Sequence, residues 1–414
     1  MKIGLLSYRS NPYSGGQGIY IRHLSKALSK LGHEVSVISG QPYPELDDSI
    51  NLIKLPGLGL FESGERFSAF KISFFWNLLN FYEWFTVMTG GFPEPYAYGR
   101  RVYRLLKKTN FNFDILLDNQ SLSSSLLKIQ KEFPLAVTIH HPITRDHKLE
   151  MENAKNWKER LSSNRWHNFL PMQKRTASKL QNIICVSQSS KEDVIAEFNV
   201  KEERITVIPN GIDIENFKPS SDSKTLDFKI VTTASSDIPL KGLRHLILAL
   251  PRVLREYPLT RLTVIGKSPK KSKLNKLIDD LKLEDKITFK SGISENEIVD
   301  IYHDSDIAVI PSLYEGFGFG AGEAMACGVP LISTHSGGLK EVVGESAVEI
   351  MPYSSEEIER AVINLFNNRE KMKELSEKGR QRMENKFDWK LAASSYESSF
   401  KDVIKAFNNE HHKV

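Results

Sequence analysis

Short, continuously apolar, β-branched runs alternate with helical patterns almost from end to end of this chain, and that alternation constrains the fold more than any other feature. The first half carries KIGLLSY, EVSVIS, FDILLDN, LAVTIHH, NIICVS and ITVIP; the second carries KIVTTAS, RLTVIG, KITFKSG, DIAVIPS, PLISTH and SAVEIMP. Such runs suit strands buried on both faces, which is the condition of a parallel sheet covered by helices. Helical periodicity fills the gaps: Ile21, Leu24, Leu28 and Leu31 share one face, as do Tyr98, Val102, Leu105 and Leu106. The chain therefore reads as an α/β protein of the doubly wound kind. Twelve strands overfill one sheet, and 414 residues suffice for two or three domains, so two doubly wound domains are expected. The break falls in NGIDIENFKPSSDSKTLDFK, residues 210–229, which is polar and turn-rich. This predicts domains over 1–209 and 210–387, the second closing with one long helical stretch, about Ser354 to Asn385. After Phe387–Trp389 a last helix, about 388–407, is followed by a frayed NNEHHKV tail whose His pair is given no metal role.

Composition narrows the function classes. Hydrophobic residues at 40% and charged residues at 26% exclude a disordered chain. Lys+Arg exceed Asp+Glu by 56 − 51 = 5, compatible with an anionic ligand or membrane surface and too weak to imply nucleic acid. The two cysteines, Cys185 and Cys327, lie in apolar stretches and read as buried thiols of a reducing compartment. MKIGLLSYRSN lacks the long apolar core and cleavage site of a signal peptide, and no run reaches the roughly 18 apolar residues of a spanning helix. A cytoplasmic location is expected.

Two glycine-rich loops follow strands. NPYSGGQGIY, with Gly15, Gly16 and Gly18, precedes a helix, but its spacing is not GxGxxG and no acidic residue closes the second strand. A nicotinamide dinucleotide site is therefore poorly supported. The second loop, PSLYEGFGFGAGEAMACGVPLISTHSGG, sets Glu315 and Glu323 eight positions apart around Gly316, Gly318, Gly320 and Gly322. Glycines let several backbone N–H groups approach an oxyanion, and each Glu can accept from a diol; polyol and phosphate recognition suits this pattern.

GFGFGAGEAMACGVPLISTHSGG resembles the signature of the retaining nucleotide-sugar glycosyltransferases of family 4, with their Glu-x7-Glu pair. SGGQGIYIRHLSKALSKLGHEV, VIPNGID and PLKGLRHLILAL match in the family's order and extend the resemblance over most of the chain. The resemblance implies the GT-B fold: two Rossmann-like domains facing across a cleft, an N-terminal acceptor domain and a C-terminal donor domain, with the last helix crossing back. It implies that Glu315 binds donor-sugar hydroxyls and Glu323 the ribose, that amides from Gly316 through Phe317, Gly318 and Phe319 to Gly320 contact sugar and phosphate, and that Lys241 pairs with the diphosphate. His140, at the end of LAVTIH, is implied to contact the reacting sugar or its phosphate, and Gly16 to lie near the diphosphate or acceptor. Ser187 is a weaker match, because Ser189 and Glu192 beside it form a capping-box pattern that only starts a helix. One departure stands out: the family commonly has an Arg shortly before the Lys of KG, whereas TTASSDIPLKG has none, leaving Ser235, Ser236 or Lys241 alone.

The expected reaction is sugar transfer with retention, without metal or other cofactor, from a nucleoside-diphosphate sugar to a lipid-linked or glycan acceptor. The rivals are an epimerase or hydrolase on the same fold, a non-catalytic nucleotide-sugar-binding protein and, third, an oxidoreductase. Residues 67–92 are rich in aromatics (Phe70, Phe74, Phe75, Trp76, Phe81, Tyr82, Trp84, Phe85), while Arg22, Lys26, Lys30, Lys155, Lys158, Arg160, Arg165, Lys174 and Arg175 add positive charge. Together they predict peripheral docking on an anionic membrane surface.

Overall fold

The computed structural model describes residues 1–12, 16–61, 74, 76–221, 225–234, 239–268 and 272–411. Ser235, Ser236, Gly15, Phe70 and Phe75, singled out above, lie outside the described residues. The chain divides into two compact units, Met1–Ile208 with Ala392–Val414, and Pro209–Leu391. In the first unit the described strands are β1 (Lys2–Ser7), β2 (Glu34–Ser39), β3 (Asn51–Lys54), β4 (Ile115–Asn119), β5 (Leu135–Ile139), β6 (Ile183–Cys185) and β7 (Ile205–Val207). Those of the second are β8 (Lys229–Thr233), β9 (Arg261–Ile265), β10 (Ile287–Lys290), β11 (Ile307–Ile310), β12 (Leu331–Thr334) and β13 (Val348–Ile350).

Every pairing between these strands is parallel. The orders are β3-β2-β1-β4-β5-β6-β7 and β10-β9-β8-β11-β12-β13, so each sheet runs outward from its first strand in both directions. The strand order therefore reverses between β1 and β4 in one unit and between β8 and β11 in the other. Ligands of open α/β sheets sit outside the carboxyl ends of the strands at such switch points. The central strands β4, β5, β11 and β12 are buried at every residue, as their unbroken apolar runs require. Each unit has its own core, one around Leu6, Leu116, Val137 and Ile183 and the other around Ile230, Val264, Val309 and Ile332.

Four expectations are corrected. β3 was not anticipated: as an edge strand with half-buried Leu52 and Ile53 between exposed Asn51 and Lys54, NLIK lacks the apolar run that marks a central strand. The stretch 354–385 is two helices, Ser355–Phe366 and Arg369–Lys386; Asn368 breaks it by accepting from the Lys371 N–H and capping the second. The final helix is Trp389–His411, so the tail continues helical to His411, whose ring stacks on Phe407 at 3.9 Å. The cap of helix Gln188–Phe198 is Ser187, which accepts from the Ser190 N–H at 3.0 Å; Ser189 is already inside the helix. Cys185 and Cys327 are free and buried, and burial pushes both thiols up to about 12.

Candidate functional site

In the Pro209–Leu391 unit, the segments leaving β8 and β11 meet at the switch point. After β8 the chain makes a tight turn, Pro239–Lys241, and enters helix Leu243–Glu256 through Gly242. Gly242 has φ +67, and a Cβ there would lie 1.9 Å from the Pro311 carbonyl oxygen just beyond β11. Only glycine permits that approach, which sets Lys241 against the β11 loop. Its Nζ donates to Glu315 Oε1 at 2.6 Å, and Ser312 Oγ donates to the same oxygen at 2.8 Å. Both donors fall on Oε1, so Oε2 keeps its lone pairs for another donor.

The β11 loop then turns through Gly318 into helix Phe319–Ala326. Gly320 stands where a Cβ would meet Thr233 Oγ1 at 1.9 Å, so this helix start lies directly against the end of β8. The Gly318 carbonyl accepts from Ala321 and Gly322, while the N–H groups of Phe319 and Gly320, in the first turn, are not consumed by the helix itself. Gly316 and Gly318 precede this turn, but the Phe317 side chain is buried and packs edge-on to Phe319 at 5.2 Å and near Phe387 at 5.9 Å. Only its backbone is available to a ligand.

Glu323, one turn further, is 9% exposed. Burial, then the charge of Glu295, pushes its carboxyl up to about 7, against the pull of Tyr302 and Lys241. Tyr302 Oη donates to the Gly320 carbonyl at 3.0 Å and lies 3.4 Å from Glu323 Oε2. A buried carboxyl without a strong donor is poised to take one from a ligand hydroxyl. Lys241, Glu315, Glu323, Gly316, Gly318, Phe319 and Gly320 are thus gathered at one edge, which brings a cation, helix-start amides and carboxylates together. Among the described residues, no three His, Cys, Asp or Glu converge to hold a metal ion.

In the other unit, His140 follows β5 directly. Its N–H donates to Gln120 Oε1 at 2.6 Å, and its carbonyl accepts from Ser190 Oγ at 2.7 Å. His140 Nε2 lies 2.7 Å from Asn119 Oδ1. Asn119 Nδ2 donates to Ser7 Oγ at 3.2 Å, which fixes the amide so that Oδ1 accepts and Nε2 carries the proton. Burial, then neighbouring His141, lowers the imidazole to about 3. His140 is therefore neutral near pH 7, with Nδ1 as an acceptor, which suits a sugar hydroxyl better than a phosphate oxygen. His141 turns elsewhere, to Asp146 at 3.1 Å. Gly16 is exposed at the start of helix Gly16–Lys30, and the buried Gly18 lets this turn abut the Asn11 carbonyl, 2.1 Å from where a Cβ would stand.

Residues 14–216 match the family described as Glycosyltransferase Family 4, and residues 214–382 match Glycosyl transferases group 1. The MMP alpha-(1->4)-mannosyltransferase of Mycolicibacterium hassiacum is 38% identical over 409 residues, 98% of each chain. The chain belongs to this glycosyltransferase family. A glycogen synthase of Mycobacterium tuberculosis is 25% identical to the transferase, across 95% of it and 93% of the relative. Its fold is that of the sucrose-phosphate synthase of Thermosynechococcus elongatus, with TM-score 0.73 at 20% identity over 98% and 99% of the two chains. It is likewise that of Anabaena HepE, solved with UDP and glucose, with TM-score 0.71 at 17% identity over 97% and 99%. The α/β doubly wound pair is thus the GT-B class, and the expectation of a glycosyltransferase holds.

Sequence reasoning missed the turn after β4, whose Asn119 and Gln120 hold His140. Asp118, Asn119, Gln120 and Ser121 are all buried at the end of β4. Gln120 and Leu122 adopt φ of 53 and 48, a left-handed backbone unusual for non-glycine residues. Asp118 holds that turn, accepting from Ser121 Oγ at 2.6 Å and Ser121 N–H at 2.8 Å; burial nonetheless raises its carboxyl to about 6. The available signal was the polar cluster DNQS immediately after an apolar strand.

Proposed function

We propose that the transferase moves a hexose, with retention of configuration, from a nucleoside-diphosphate sugar held by the Pro209–Leu391 unit to a glycan or lipid-linked acceptor held by the other. The observation that carries this reading is the Lys241–Glu315 contact at the switch point beside the start of helix Phe319–Ala326. The α-(1→4)-mannosyl linkage made by the Mycolicibacterium relative supports mannose as the sugar and an α-linked product.

Cleaving the bond to the diphosphate leaves negative charge on phosphate and positive charge at the anomeric carbon. Lys241 and the amides at Phe319 and Gly320 stand ready for the first, without a metal. Glu315 Oε2 orients the sugar, and Glu323 takes the ribose. His140 Nδ1 accepts from a sugar hydroxyl. Attack comes from the face the phosphate leaves, and the departing phosphate oxygen takes the acceptor's proton. No step requires Glu315 as a nucleophile; Lys241 and Ser312 already donate to its Oε1.

A thermal-shift screen of nucleoside-diphosphate sugars identifies the donor, since a bound ligand stabilises by mass action. Product analysis with and without acceptor then separates transfer from epimerisation or hydrolysis. Free sugar at the same rate with and without acceptor overturns the reading.

We further propose peripheral docking of the first unit on anionic lipid. Helix Leu78–Met88 and helix Trp157–Trp166 meet where Arg165 Nε donates to the Thr89 carbonyl at 3.0 Å. At the opposite, N-terminal ends of the two helices Trp76 is 89% exposed, Leu78 80% and Trp157 69%. Lys155, Lys158 and Arg160 are exposed beside Trp157. Basic residues interleaved with exposed aromatics suit a bilayer interface. The Lys26 and Lys30 charges face Asp47 and contribute less. Sedimentation with anionic vesicles at low salt, weakening at high salt, is the expected result; no binding at low salt overturns it. Among the described residues no helix is long and apolar enough to cross a membrane.

A further inference from the structure

We propose that Tyr396, on the C-terminal helix, is a positioning residue for His140 and acts through Tyr20. The inference rests on the reading of His140 as the group that faces the transferred sugar.

Three hydroxyls close a triangle inside the first unit. Tyr20 Oη donates to Tyr396 Oη at 2.8 Å and lies 2.8 Å from Thr138 Oγ1, and Thr138 Oγ1 lies 3.2 Å from Tyr396 Oη. All three side chains are wholly buried. They come from helix Gly16–Lys30, strand β5 and helix Trp389–His411, elements far apart in sequence. A buried hydroxyl must find a partner or lose its hydration uncompensated, and these three satisfy one another.

The triangle abuts His140. The Tyr20 ring stands 4.7 Å from the imidazole at 84°. Thr138 lies two residues before His140, at the end of the same strand. His140 is otherwise held at its backbone by Gln120 and Ser190 and at one ring atom by Asn119. Those hydrogen bonds fix the backbone and Nε2, which leaves the tilt of the ring about the Nε2 contact to packing. The perpendicular Tyr20 ring sets that tilt, and with it the direction in which Nδ1 points. Tyr20 is in turn registered by Tyr396, whose ring centroid lies 6.4 Å away. The residue that aims the imidazole's free acceptor is therefore held by a helix that begins in the Pro209–Leu391 unit and ends in the first.

Apolar packing alone would be served by phenylalanine, so Tyr396→Phe and Tyr20→Phe keep the rings and remove only the hydroxyls. Each is expected to lower kcat for transfer about three- to ten-fold, as expected of small misplacements of a reacting group, with the donor KM unchanged. The deciding measurement is Tyr396→Phe in a His140→Ala background. If Tyr396 acts through His140, its effect on kcat disappears there, while any loss of Tm persists in both backgrounds. Wild-type kcat in folded Tyr396→Phe and Tyr20→Phe overturns the proposal. So does an effect on kcat that is as large without His140 as with it. A His140→Ala protein that turns over at the wild-type rate overturns instead the reading of His140 itself. Should one Tyr variant fail to fold, the other carries the same comparison.

Discussion

If Glu323 takes the ribose as proposed, donor binding is coupled to a proton, and substituting Glu323 by glutamine removes the coupling. Its carboxyl stands at about 7 instead of the ordinary 4.5, chiefly through burial. At about 1.4 kcal/mol per tenfold change in proton affinity, that difference corresponds to about 3 kcal/mol. The sign follows from which state holds the proton. Below 4.5 both folded and unfolded chains are protonated at this position. Between 4.5 and 7 the unfolded chain ionises and the folded one does not, so the free protein loses about 3 kcal/mol of stability as pH rises through that window. Glu323→Gln does not lose it. A ribose diol donates hydrogen bonds and needs the ionised carboxylate, so binding at pH 6 must expel the proton. Relative to Glu323→Gln, wild-type affinity for a nucleoside diphosphate should fall toward tenfold for each pH step below 7. Asp118 and His140, which also titrate, are present in both proteins, as is the nucleotide's own phosphate, and they cancel in the comparison. Calorimetry at pH 6 in two buffers of different ionisation enthalpy should find close to one more proton released by wild type than by the variant. Equal proton release, or parallel affinity profiles, refutes the placement of a ribose on Glu323.

Other outcomes follow from the same geometry. Lys241→Ala and Glu315→Ala should each lower kcat about 10²-fold or more, since their contacts strengthen as charge develops, while circular dichroism reports an intact fold. Gly242→Ala, with φ +67 and a Cβ driven to 1.9 Å from the Pro311 carbonyl, should cost about 2 kcal/mol or more in denaturant unfolding and raise the donor KM. Transfer should proceed undiminished in a metal chelator, and loss of activity restored by a divalent cation would refute the metal-free account.

The parts of the fold written in continuous apolar runs were legible before any coordinates. β4 and β11 are buried at every residue, so their runs could belong only to central parallel strands. β3 was not legible because its only two apolar residues, Leu52 and Ile53, are half-buried on opposite faces of a short edge strand. Asn368 ended a helix that periodicity alone carried through, because an asparagine caps by accepting the Lys371 N–H rather than by breaking the pattern. In the site, glycines and carboxylates were visible because their spacing is chemical. Glu315, Lys241 and Ser312, brought together across the switch point, show why Lys241 needs a glycine after it: the Pro311 carbonyl leaves no room for a side chain. Tyr302, Asn119 and Tyr396 carried no such mark, since a buried tyrosine or asparagine acquires its role only from partners distant in sequence.

The anomeric configuration of the first product, read by proton NMR as the transferase consumes an α-linked nucleoside-diphosphate hexose, tests the central claim most directly. The account predicts that the new glycosidic proton appears as the α anomer from the earliest time points and only when acceptor is present, and that the signal is lost in Lys241→Ala and Glu315→Ala. A β-linked product, or free sugar formed equally with and without acceptor, would contradict it.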